Sequence, residues 1–203
     1  MLFQPGMRKL ILTSHITFSV GWLGAVVVFL VLAFKGLTTT ETQIAHAAFI
    51  AMEISTFFVI VPFCIASLLT GVVQSLGTKW GIFKHYWIVV KLVITVAMTA
   101  LLILHLEPIS QLANINGGES QPSATETKMV INLIKKSALA LIALIGVTTI
   151  SIYKPWGKIQ IQGAAAKERL IKVHFKAYLF VGMLILAIAF IIIHILKGGM
   201  RMH

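Results

Sequence analysis

The chain has 203 residues, of which 58% are hydrophobic and only 11% charged, and it carries a formal net charge of +11. That composition excludes an ordinary soluble domain, and with no Asp and only six Glu there is little material for a carboxylate-based catalytic domain. The Lys and Arg residues sit between apolar runs rather than on one soluble face, which argues against nucleic acid as a partner.

The apolar runs are long enough to cross a hydrocarbon layer of about 30 Å as helices. Strands of about ten residues with alternating polarity, the mark of an outer-membrane barrel, are absent. Because the backbone must bond to itself in lipid, the predicted fold is all-α: a single polytopic transmembrane helix bundle of about five spans, a four-helix core plus one.

Arg8 and Lys9 precede the first run in the manner of a signal peptide. The run from Leu10 to Phe34 is too long for a typical signal core and has no small-residue cleavage site at its end, so it reads as a retained first span. A polar turn, Lys35 to Gln43, leads to a second span over Ile44 to Leu76, longer than the bilayer needs, with Pro62 as the expected kink. Its Cys64 is the only cysteine in the chain, which rules out an intramolecular disulfide and reads as a small buried apolar residue. A basic, aromatic connector, Gly77 to Tyr86, precedes the third span, Trp87 to Leu106. Glu107 to Lys128 has the Asn, Gly, Ser and Pro content of a loop. The fourth span covers Val130 to Tyr153 and ends before Pro155. Lys154 to Lys172 is a second basic connector, and Val173 to Leu196 is the fifth span.

Basic residues set the expected orientation. Arg8, Lys9, Lys79, Lys84, Lys154, Lys158, Lys167, Arg169 and Lys172 lie on one side. The first and third connectors hold only Lys35 and Lys128, beside Glu41, Glu107, Glu119 and Glu126. This places the N-terminus in the cytoplasm and, with five spans, the C-terminus outside, in a bacterial cytoplasmic membrane. Trp80, Trp87, Tyr153 and Trp156 then fall at the inner interface, where aromatic rings anchor well.

Ionisable residues inside spans are costly and are functional candidates for that reason. Depth sorts them into two layers: His15, Lys91 and His174, with connector His85, toward the cytoplasm, and His46, Glu53, His105 and His194 toward the outside. Lys91, Met98 and His105 repeat every seven residues and share one helix face, as do His15 with Trp22 and His46 with Glu53. Taken singly, each could do no more than bond to a neighbouring helix and fix the packing. Taken as a layered set, they suggest a cofactor or an ion. Neutral imidazole ligates haem iron, zinc and copper. No His or Cys pairs stand at the spacing of a structural zinc site, and no Cys–x–x–Cys–His occurs for covalent haem. A b-type haem fits, and so does copper, for which Met52 and Met98 would add soft thioether ligands.

Two stretches carry a resemblance. HITFSVGWLGAVVVFL, His15 to Leu30, has a histidine early in the first span followed by Trp-x-Gly. SLGTKWGIFKHYWIVVKLVITVAMTALLILHLEP, Ser75 to Pro108, runs an aromatic connector into a span with an early Lys and a late His. With ISIYKPWG, Ile150 to Gly157, they resemble a group of small bacterial integral membrane proteins of unassigned activity. More loosely, the first two are similar to the copper-resistance protein D superfamily and to the membrane-bound, oxygen-independent protoporphyrinogen oxidases, which bind haem b. In the oxidases a first-span His and an early third-span Lys belong to the haem site. The resemblance therefore implies His15 and Lys91 as haem-site residues.

Three functions are expected to compete. The first is a haem b redox protein exchanging electrons with a lipid quinone or a small oxidant. It would use His15 and Lys91 at an inner site, His105 with His194 or His46 at an outer one, and Glu53 or Lys91 for protons or a propionate. The second is a copper- or ion-handling transporter. The third is a non-catalytic membrane subunit whose polar groups only set packing.

Overall fold

The computed structural model describes residues 3–77, 85–114 and 122–154, and every regular element among them is helical. The fifth predicted span, with His174 and His194, lies outside the described residues.

Helix α1 spans Pro5–Thr38. Proline at its start supplies a helical φ and lacks only an N–H that would have no partner there. Its buried residues are Trp22, Val26, Phe29, Ala33 and Gly36, alternating four and three apart, one seam for packing on neighbours. Val20, Val31 and Phe34 on its other faces are more than half exposed, as a lipid-facing surface requires. Glycine at position 36 is what lets the seam close. A Cβ there would sit 2.6 Å from Cε1 of Phe49.

The second span is one helical rod in three parts: α2 (Thr42–Ser55), a π-turn (Thr56–Ile60) and α3 (Val61–Gly77). The sequence singles out Pro62 as the point of irregularity, and the irregularity lies just before it. The amide of Val61 reaches back to the Thr56 carbonyl, five residues away. Proline has no N–H and its ring crowds the carbonyl four residues back, here Phe58. The wider π-turn moves the carbonyls of that turn out of register with the ring.

Helix α4 covers Tyr86–Leu104 and stops at His105 (φ −103, ψ −1), where the chain turns into α5, Leu106–Ala113. The expected loop therefore begins as helix. Ile109, Leu112 and Ala113 bury one side of α5, which packs on α2, and this spacing of three and four outweighs the polar residues between them. Helix α6, Ala124–Tyr153, starts six residues before the expected span. Ser123 Oγ accepts from the Glu126 amide, and the Glu126 carboxylate accepts from the Ser123 amide at 2.6 Å, a capping box that starts the helix in polar sequence. It ends at Lys154 in the left-handed region (φ 47), where the following Pro155 disfavours continued helix.

The four long helical rods are each long and apolar enough to cross a membrane. They form a ring: α1 packs on the second span and on α6, and α4 packs on α3 and on α6. Connected neighbours alternate in direction. Trp22, Phe29, Phe49, Met52, Ile60, Cys64, Leu112, Val130 and Leu133 form the buried centre.

Candidate functional site

Two histidines stand inside the ring, near its two ends. His15 lies on α1 against α3. Its Nδ1 is 3.0 Å from the Ser67 carbonyl oxygen and 3.1 Å from Thr70 Oγ1. A carbonyl can only accept, so Nδ1 carries the proton. Thr70 fits that assignment: its own proton goes to the Ala66 carbonyl at 2.6 Å, which leaves lone pairs toward the ring. Nδ1 is thus the donor, and in the neutral ring Nε2 is the bare acceptor. The ring rests on Gly71, where a Cβ would come within 2.9 Å of its Cε1. A second polar contact, Ser19 Oγ to Ser67 Oγ at 2.7 Å, continues the seam between α1 and α3.

His105 repeats the arrangement. Its Nδ1 bonds to the carbonyl of Leu101 on its own helix. By the same reasoning Nδ1 is the donor and Nε2 the free acceptor. Neither Nε2 has a hydrogen-bond partner among the described residues.

Lys91 is half-buried, with Nζ 5.8 Å from the centroid of the Trp87 ring. A cation over an indole face is a favourable place for an ammonium out of water. Lys91 lies near the start of α4 and His15 packs against the later turns of α3, so the two residues stand toward the same end of the bundle. Lys91, Met98 and His105, the expected α4 stripe, are all half-buried.

The remaining candidates are less gathered. His46 is half-buried on α2, with Nδ1 sealed and unbonded among the described residues. Glu53 is half-buried one turn before the π-turn, and its carboxylate makes no hydrogen bond or ion pair with a described residue. Met52 is a fully buried core residue, whereas Met98 lines a cavity with His105. Among the described residues no three His, Cys or Glu side chains stand close enough to hold a metal ion between them. Cys64 is buried as expected. It also bonds to Thr99 Oγ1 at 3.2 Å, and since the Thr99 proton goes to the Thr95 carbonyl, the thiol is the donor.

The cavity beside His105 lies between all four spans and has a volume of about 60 Å³. Trp22, Thr56, Met98, His105, Lys136 and Ser137 line it with several aliphatic residues. Thr56, Lys136 and Ser137 are not among the site residues expected from the sequence. A signal was present, because Leu133, Lys136, Ser137 and Ala140 share one helical face, and Lys136 is an ionisable residue within a span. The cavity suits a few waters and not a porphyrin, since sites for larger ligands run to several hundred Å³. The donor chemistry of the two imidazoles fits iron, then, while the space at His105 does not fit the macrocycle. The chain matches no family model and has no significant match to a curated protein or to a solved structure.

Proposed function

We propose that this is an integral membrane redox protein of the bacterial cytoplasmic membrane, N-terminus inside, that holds b-type haem through His15. One observation supports the reading more than any other. The Nδ1–H of His15 is held by the Ser67 carbonyl on a facing helix, and Nε2 is left as a neutral donor atom. Metal-ligating histidines are oriented in this way, with the second nitrogen bonded to a carbonyl or carboxylate. When bound, b-type haem supplies a one-electron couple, and a lipid quinone or a small oxidant is its proposed exchange partner. The role of His15 is to present Nε2, and that of Ser67 and Thr70 is to hold the ring still. Lys91, at the same end, offers a positive charge for a propionate. At the outer end, the cavity beside His105, at about 60 Å³, is too small for a macrocycle, and the proposed haem is the one at His15 alone. Protein purified in mild detergent from haem-replete cells tests the proposal by pyridine haemochrome assay. Iron porphyrin in stoichiometric amount is expected. If none is found, and none is taken up on titration, the reading is wrong.

A second reading, copper or small-ion handling, is favoured by the pairing of Met98 with His105 in a cavity of ion-like size. Copper bound by haem-free protein and lost in both Met98→Leu and His105→Ala would favour it over the first.

A further inference from the structure

The cavity between the spans contains more hydrogen-bonding capacity than the protein satisfies. Lys136 Nζ, Ser137 Oγ and His105 Nε2 have no partner among the described residues, and all three residues line this one space. Thr56 also lines this cavity, and because its proton is given to the Met52 carbonyl at 2.7 Å its oxygen has only acceptor capacity left. Most other hydroxyls in the spans are satisfied locally: those of Thr70, Ser75, Thr95, Thr99, Thr148 and Ser151 each bond the carbonyl four residues back. Ser137 does not.

Lipid offers no partner to the half-buried Ser137 and His105, and leaving them bare inside a membrane bundle is costly. Wholly apolar cavities stay dry, but polar ones of sufficient size take up water, each molecule needing two to four polar partners. A volume of about 60 Å³ has room for a few waters by that measure. Lys136 is exposed while Ser137 and His105 are half-buried, so Lys136 is the most accessible of the three.

We infer that this cavity is a hydrated inlet within the membrane span, in which ordered waters bridge Lys136 and Ser137 to Nε2 of His105 and the oxygen of Thr56. The inlet brings water to a group that would otherwise face only aliphatic side chains. The inference does not rest on haem binding, and haem-free protein serves to test it.

Radiolytic hydroxyl-radical labelling oxidises side chains that adjoin ordered water, and methionine reacts readily. Met98 lines the cavity, while Met52 is 1% exposed in the dry core. In detergent-solubilised native protein, oxidation of Met98 at least tenfold faster than that of Met52 is expected. Ser137→Leu, which fills the cavity and removes a polar partner, should bring Met98 down to the Met52 rate. Equal rates at the two methionines in the native protein would overturn the inference. So would a fast Met98 that Ser137→Leu leaves unchanged, because its label would then come from outside the cavity.

Discussion

Nδ1 of His15 lies 3.0 Å from the carbonyl oxygen of Ser67, a residue fifty-two positions away on the facing helix. This contact fixes the tautomer of the imidazole and ties α1 to α3 at the same time. Packing and ligation are therefore separable by substitution, because the bond uses the backbone of Ser67 and not its side chain.

Ser67→Ala removes the Ser19–Ser67 hydroxyl contact and keeps the carbonyl that holds His15. A loss of about 0.5–1 kcal/mol is expected, the usual size of such an interhelical bond, with haem content unchanged. Thermal unfolding in detergent and the haem-to-protein ratio check both halves. Loss of haem on Ser67→Ala would mean that the seam, not the ring orientation, makes the site.

Gly71→Val places branched carbon where the His15 ring now lies. A Cβ at this position already approaches Cε1 to 2.9 Å, so the ring must move off its partner. Overpacking of this kind costs about 1–3 kcal/mol. Haem affinity should fall by at least tenfold, read by haem titration, while Gly146→Val, where a Cβ meets nothing within 4 Å, should leave affinity unchanged.

Ser123→Ala deletes the capping box at the start of α6. A loss of about 1 kcal/mol is expected, seen as faster amide exchange in the first turns of α6. Protection equal to that of the native protein would show that tertiary packing, not the cap, holds this end.

Orientation is tested by cysteine labelling in intact cells, in a Cys64→Ala background. Thr40→Cys, between α1 and α2, should react with an impermeant reagent, and Lys154→Cys, at the end of α6, should react only after permeabilisation. The reverse pattern would invert the topology inferred from the basic residues.

The four described spans were legible because lipid imposes one requirement on a long stretch of sequence: enough consecutive apolar residues and a helical backbone. Their ends were less so. Ser123 and Glu126 begin α6 in polar sequence through a three-residue spacing that hydropathy does not register, and Ile109, Leu112 and Ala113 make a helix of a segment whose polar residues suggest a loop. Within the site, His15, Lys91 and His105 stood out as ionisable or ligating side chains in apolar runs. Ser67 and Thr70 did not, since their part depends on which helices become neighbours. Lys136 was masked by its place beside Lys135 near the start of a span, where a lysine can reach the interface.

Haem ligation by His15 is tested most directly by the reduced-minus-oxidised visible spectrum of the native protein beside that of His15→Ala, both purified in mild detergent from haem-replete cells. The native protein should show a sharp Soret band and split visible bands, and His15→Ala should lose or shift them at equal protein concentration. Native protein without these bands, or a His15→Ala spectrum identical to the native one, would contradict it.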